Sequence, residues 1–184
     1  MANPEELPPQ RQQDGRLQVI IETPRGSRNK YNFDPEQKIF TLKKVLPAGM
    51  VFPYDFGFVP STRGGDGDPL DVLVLMDEPA VPGCLVPARL IGVIEADQRE
   101  GRKRVRNDRL LAVAEATELY AKITSYTDLP EGMVQKIGEF FVNYHRLEGS
   151  EYRILGYKGS VAASRLLRAA GTYLPDRLSS RRVP

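Results

Sequence analysis

Asp66-Gly67-Asp68-Pro69-Leu70-Asp71 puts three carboxylates within six positions. Unit charges a few ångströms apart repel by ~1 kcal/mol in water and several times more near a protein surface, so the trio calls either for a positive partner or for open solvent. A hard divalent cation held by carboxylate oxygens meets the first condition. Asp66 and Asp68 are two apart and point the same way from an extended backbone, and Gly67 between them permits close approach. Pro69 cannot donate to a sheet ladder, so the chain bends there, and Asp71 swings back toward the other two as it opens the apolar run Val72-Leu73-Val74-Leu75-Met76. The competing reading is a solvated acidic turn, since Asp, Gly and Pro are ordinary turn formers. An EF-hand is excluded: with Asp66 as its first position, Leu70 falls where a ligand is required and Asp71 where glycine is required.

A loop of this kind needs a scaffold, and 184 residues with 41% hydrophobic content suit one domain with a substantial core. We place that domain at residues 15–175, with residues 1–14 a Pro-, Glu- and Gln-rich flexible arm and residues 176–184 a basic tail. A net charge of +2 provides no global field for nucleic acid or an acidic membrane. Cys84 is the only cysteine, which excludes an internal disulfide, suits a reducing compartment and reads as inert core. Met1 to Gln13 lacks the apolar stretch of a secretory signal, and no apolar run is long enough for a bilayer, so a cytoplasmic protein without membrane contact is expected.

The first two thirds read as short strands: Leu17–Glu22, Lys30–Phe33 returning as a hairpin through Ile39–Leu42, the run after Asp71, a long strand from Cys84 to Glu95, a charged excursion over Asp97–Asn107, and Leu110–Ala114. The last third changes period. Asp128-Leu129-Pro130-Glu131 reads as a capping box, and Met133, Ile137, Phe140, Phe141 and Tyr144 recur at helical spacing toward Gly149. Tyr152–Lys158 is a final strand. Ser160 caps a second helix with Val161, Ala163, Leu166, Leu167 and Ala170 toward the core and Gly171 closing it. The expected class is α+β, mainly β, with helices appended in the C-terminal third.

Glu22, Lys30, Lys44, Asp97, Glu100, Arg109 and the Tyr144-His145 pair flank these elements. Singly, each reads as a solvated surface group. Together with the acidic loop they supply carboxylates for Mg2+ and long cations for anionic oxygens, the requirements of phosphoryl transfer to water. The lone His145 speaks against a histidine-based zinc site, and neither a Gly-x-Ser-x-Gly elbow nor a P-loop is present.

Asp66-Gly67-Asp68-Pro69-Leu70-Asp71-Val72-Leu73-Val74 resembles the Asp-x-Asp-Pro-x-Asp core of the soluble family I inorganic pyrophosphatases. The likeness extends from Val19 to Tyr157, through Val19-Ile20-Ile21-Glu22-Thr23-Pro24, Lys30-Tyr31, Pro53 with Gly57, Gly92-Val93 and Phe140-Phe141 with Tyr144. It implies a five-stranded, OB-like closed barrel with helices packed against it, commonly assembled in bacteria as a homohexamer, that hydrolyses pyrophosphate to two phosphates with Mg2+, Mn2+ being a substitute. Carried over by position, Asp66 and Asp71 would ligate metal, Asp68 would orient or deprotonate the attacking water, and Glu22 would hold a further metal through water. Lys30, Lys44, Arg109, Tyr144 and His145 would contact phosphate.

The chain departs from the family pattern at Asn32, at Lys44 in place of Arg, at Phe52 and Phe56 in place of two Tyr, and at His145 in place of Lys, a residue only partly charged at neutral pH. Asn107 stands where the family has a metal-ligating carboxylate. Its carbonyl can ligate but adds no charge, leaving Asp97, Glu100 and Asp108 as compensating candidates. These losses motivate an alternative, a weakened or inactive homologue acting as a phosphate- or nucleotide-binding regulator. A third reading, a nucleic-acid-binding barrel, draws on Arg99, Arg102, Lys103, Arg104 and Arg106 and on Arg177, Arg181 and Arg182 of the tail. Against it, the aromatics cluster at the acidic loop, where a polyanion is repelled.

Overall fold

Apolar residues at consecutive positions mark strands covered on both faces, and Leu17-Gln18-Val19-Ile20-Ile21-Glu22-Thr23 is one of them: all seven residues of β1 (Leu17–Thr23) are buried. The computed structural model describes residues 3–171, apart from the side chain of Glu100. The further strands are β2 (Asn29–Asp34), β3 (Ile39–Val45), β4 (Asp55–Phe58), β5 (Asp71–Leu75), β6 (Leu85–Glu100), β7 (Lys103–Arg106), β8 (Arg109–Ala114) and β9 (Tyr152–Gly159), with helices α1 (Met133–Leu147) and α2 (Ser160–Ala169). The order β1-β4-β5-β8-β6 returns to β1 through a β1–β6 pairing, so five strands form a ring. β7 and β9 extend it from β6, while β2 and β3 make a separate hairpin.

Alternation divides two of these strands between two cores. Val72 and Val74 of β5, with Leu110, Ala112 and Ala114 of β8, face a cluster that Ala163 and Leu167 of α2 cover. Leu73 and Leu75, with Leu111 and Val113, face a second cluster that Val134, Ile137, Phe141 and Tyr144 of α1 cover. Ile20, Phe33 and Phe58 fasten the β2–β3 hairpin to the ring.

The structure corrects several boundaries. β6 does not stop at Glu95. It runs through the charged excursion to Glu100, turns at Gly101 (φ +59°) and pairs with β7 in the register Asp97↔Arg106 to Glu100↔Lys103. Ion pairs make a strand of such polar residues: Arg104 and Arg153 reach Asp97 at 2.7 and 2.6 Å, and Arg104 also pairs with Glu151. The capping box forms at Ser125 and Asp128, around a 3-10 turn at Tyr126–Asp128, and α1 begins behind Gly132 with no side-chain cap. Gly159, not Ser160, is the N-cap of α2, and Val161 is 67% exposed rather than facing the core. Cys84 is half-buried, in the turn before β6.

From Asn3 onward the segment read as an arm lies against the ring. Ser61 N donates to the Glu5 carbonyl at 2.9 Å, its single Oγ proton is shared between the Leu7 and Glu5 carbonyls (2.8 and 3.1 Å), and Gln18 donates to Pro8 and Pro9. The tail at 176–184 lies outside the described residues. Among the described residues no helix is long and apolar enough to cross a membrane.

Gly57 is required by close approach of β4 to β1. A Cβ there would lie 1.9 Å from the Ile20 carbonyl oxygen and 2.9 Å from Ile21 Cα, both backbone atoms that cannot turn aside. Gly57→Ala is therefore expected to exceed the ~1–3 kcal/mol cost of ordinary overpacking. Urea unfolding checks this, and a midpoint within error of the parent contradicts it.

Candidate active site

Val59-Pro60 leaves β4 and the chain returns to β5 through the acidic loop. The loop is a turn, not the extended piece expected from sequence. Gly64 N donates to Asp68 O (2.7 Å), Asp68 N donates to Asp66 Oδ1 (3.2 Å), and Gly67 takes φ +92°, a value that L side chains resist. Thr62 Oγ1 anchors the loop's far end by accepting from Leu70 N at 3.0 Å. Bending accomplishes what an extended strand was expected to do, since Asp66, Asp68 and Asp71 line one cavity of about 350 Å³.

Glu22, Lys30, Lys44, Asn107, Arg109, Tyr144 and His145 line that same cavity, whereas Asp97 and Asp108 do not. β5 and β8 run parallel with Val72 opposite Leu110, which sets Asp71 beside Arg109, and their ion pair measures 2.7 Å. Arg109, 5% exposed, also donates to Asn107 Oδ1 and lies over the Phe141, Tyr152 and Phe56 rings at 5.2, 5.5 and 5.9 Å. Lys30 and Lys44 stand directly opposite each other across β2 and β3. Like charges so placed weaken a hairpin, and here they present two ammonium groups to one space. Lys44 sits 4.4 Å from the Tyr144 ring centroid and pairs with Glu148, while Lys30 lies over the Phe56 and Tyr144 rings at 5.4 and 5.7 Å.

Crowding and burial govern protonation. Burial, then the charge of Asp71, raise Glu22 to about 7 although it accepts the Phe33 backbone N–H at 2.8 Å. Burial also raises Asp71, against the pull of Arg109 and Lys30, and it raises Asp66 with help from Asp71 and Asp68. Burial lowers Lys30, against Asp71 and Glu22. His145 falls to about 3 through burial and the charges of Arg109, Lys30 and Lys44, so it is neutral near pH 7, not partly charged as the sequence suggested.

Phe56, 2% exposed, lies beneath Lys30 and Arg109 at the cavity floor, and Phe52, 1% exposed, packs behind it against Phe56 and Tyr144. Tyr144 is at once core and cavity wall, with a buried hydroxyl that has no hydrogen-bond partner. The Asn107 amide bonds Gln98 at 2.5 Å. Asp97 and Asp108 do not stand in for the missing carboxylate: Asp97 holds the β6–β7 hairpin, and Asp108 accepts from Ala96 N and pairs with Arg106, both at distances of 2.7–2.8 Å. The side chain of Glu100 lies outside the description. Of the basic excursion, Arg99, Arg104 and Arg106 carry carboxylate partners. Three polar cavity residues were missed. Glu148, four positions beyond Tyr144, was legible from helix spacing. Gln98 and Glu5 had no signal, because a strand extension and the packed N-terminal segment deliver them.

The donors are hard oxygens, with neither thiolate nor free imidazole pair among them, and burial has raised three of the carboxylates toward protonation; this set fits a divalent cation. Among the described residues no three His, Cys, Asp or Glu side chains converge on one point.

The sequence matches the family model described as Inorganic pyrophosphatase over residues 19–173. The chain belongs to the inorganic pyrophosphatase family. It is 42% identical to an inorganic pyrophosphatase of Synechocystis over 78% of this chain and 83% of the relative, and 38% identical to one of Methanosarcina acetivorans over 83% and 88%. The crystal structure of the inorganic pyrophosphatase from Thermus thermophilus superposes with a TM-score of 0.84 at 34% identity, covering 92% of this chain and 97% of that one. Inorganic pyrophosphatase membership implies a divalent metal cofactor, and the matched range contains all ten residues proposed from the sequence.

In metal-free protein Glu22 titrates near 7 against an ordinary 4.5, so the folded state holds a proton that the unfolded chain releases. Its contribution to stability is full below pH 4.5 and is lost as pH rises toward 7. Thermal midpoints of metal-free protein are expected to fall over that interval and Glu22→Gln to flatten the slope; an unchanged slope in the variant assigns it to another group.

Proposed function

We propose that the protein hydrolyses inorganic pyrophosphate to two orthophosphates, using Mg2+ with Mn2+ as a substitute. The observation that carries this reading is the single cavity in which Asp66, Asp68, Asp71 and Glu22 share space with Lys30, Lys44 and Arg109. Asp66, Asp71 and Glu22 would hold metal, with the Asn107 carbonyl as a neutral oxygen beside them. When bound there, a divalent cation neutralises phosphate charge and makes a coordinated water far easier to deprotonate.

Asp68 is the exposed carboxylate of the four and faces the cavity, the placement needed to orient a water and take its proton. Lys30, Lys44 and Arg109 grip the diphosphate oxygens and stabilise the charge that develops on the leaving phosphate. Tyr144 lines the same cavity and packs against both ammonium groups. The apolar floor of Phe56, backed by Phe52, keeps the local dielectric low, which strengthens each of these contacts. Nothing in the site favours the regulator that binds without turnover.

Family resemblance supports a homohexamer, and the lone Cys84 supports a cytoplasmic setting. Pyrophosphate and phosphate are then the partners, with no role for nucleic acid or membrane, in keeping with the carboxylate partners of the basic hairpin.

Phosphate release from pyrophosphate is expected with Mg2+ and is abolished by chelation. Asp68→Asn is expected to lower kcat by about 10²–10⁴-fold with little change in KM. Absence of metal-dependent turnover at micromolar enzyme refutes the activity, and full activity in the variant refutes the role of Asp68.

A further inference from the structure

Asn107 lies between β7 and β8 and is held at four points. Its backbone N donates to the Ala96 carbonyl and its own carbonyl accepts from the Tyr152 hydroxyl, both at 3.0 Å. Its side-chain Oδ1 accepts from Arg109 Nη1, and its Nδ2 donates to Gln98 Oε1 at 2.5 Å. The polarity of this row has one solution. A guanidinium only donates, so Asn107 must turn its oxygen to Arg109; its amide nitrogen then faces Gln98, which must answer with oxygen. Reversing either amide would set two donors against each other. Gln98 is itself fixed in the middle of a sheet, opposite Val105 of β7 and Tyr152 of β9.

The row decides which edge of Arg109 is engaged and which is left open. Among the described residues, every hydrogen bond and ion pair of Arg109 runs through Nη1: Asp71 at 2.7 Å, Asn107 Oδ1, and the carbonyls of Asn107 and Asp108 at 3.4 and 3.3 Å. Of the other two nitrogens, Nε is buried without a partner and Nη2 is not enclosed, so Nη2 is the one left to the cavity that Arg109 lines. The amides are also neutral. The guanidinium charge is offset once, by Asp71; a carboxylate at position 107 would offset it a second time and weaken its attraction for a phosphate oxygen. The same placement bears on metal. An oxygen that already accepts from a guanidinium is a poor seat for a divalent cation, since two positive centres would meet across one atom.

We propose that Asn107 and Gln98 are positioning residues for Arg109: a neutral amide brace that turns Nη2 toward the substrate anion, leaves the guanidinium charge offset by Asp71 alone, and keeps the Asn107 carbonyl out of metal coordination. Both amides act through the guanidinium. Identifying the anion as a phosphate or diphosphate rests on the pyrophosphatase reading. The sequence left the Asn107 carbonyl open as a neutral metal ligand; the brace gives the same atom to Arg109.

The test compares the full chain with Gln98→Met, Gln98→Glu and Asn107→Ala. Methylenediphosphonate, a diphosphate analogue whose P–C–P bridge resists hydrolysis, is titrated calorimetrically in Mg2+, and Mn2+ is titrated without analogue by electron paramagnetic resonance. Gln98→Met removes the acceptor at similar size and is expected to weaken analogue binding, and to raise KM for pyrophosphate, by about three- to tenfold. Gln98→Glu restores the acceptor and is expected to bind analogue more tightly than Gln98→Met; repulsion by the added charge alone predicts the reverse order. Asn107→Ala is expected to weaken the analogue at least as much as Gln98→Met, with Mn2+ affinity unchanged in both. Analogue affinity in Gln98→Met equal to the parent's, Gln98→Glu no tighter than Gln98→Met, or Mn2+ affinity falling in either neutral variant overturns the proposal. A parent without Mg2+-dependent turnover refutes the pyrophosphatase reading, and the order of analogue affinities still decides the brace. Failure of the parent to bind the analogue overturns both.

Discussion

A buried charge must be answered by an opposite one, and in this fold the answer is built into strand pairing. Asp71 and Arg109 begin adjacent parallel strands in a register that leaves them side by side, closed by a 2.7 Å ion pair. Removing one partner of a buried pair leaves the other uncompensated at a cost of about 3–5 kcal/mol. Around that pair the remaining charges alternate in origin: Glu22 from β1, Lys30 and Lys44 from the hairpin, Asp66 and Asp68 from the turn before β5. Burial shifts Glu22, Lys30 and Asp66 toward their neutral forms, and Lys44 is held by Glu148. The site is thus an incomplete electrostatic assembly whose free protein favours protons on carboxylates that a metal would displace.

The architecture serves this by separating support from chemistry. Two cores on opposite faces of β5 and β8, each covered by its own helix, stiffen the strands that carry Asp71 and Arg109. The helix over the second core also contributes Tyr144 and His145 to the cavity wall, so packing of Phe141 and Ile137 fixes the position of groups that meet substrate. Phe52 and Phe56 belong to the same body. Where hydroxyls were expected, the chain has extended its core to the edge of the cavity.

Much of the site was legible because its chemistry is local in sequence. The Asp66–Asp71 spacing, Glu22 at the end of an apolar run and the Lys30-Tyr31 pair are short patterns; the order of strands first and helices last followed from alternation and turn residues, while the five-stranded arrangement came from the family resemblance. What escaped depends on partners far away in the chain. Asp97 reads as a loop residue until Arg104 and Arg153 surround it, and Gln98 has no signal until a lengthened β6 sets it beside Asn107. The loss of charge on His145 likewise needed Arg109, Lys30 and Lys44 in place, as did the packing of residues 3–14, which depends on Ser61 and Gln18.

The pairing of β6 with β1, β7, β8 and β9 has a consequence for biosynthesis. The opening strand cannot complete its ring until β6 has been made, and the acidic turn is translated well before Arg109 and long before Tyr144 and His145. Loop-closure entropy delays such distant contacts. A nascent chain therefore carries its aspartates without Arg109 until β8 has been made, and the cavity wall is completed only when α1 settles.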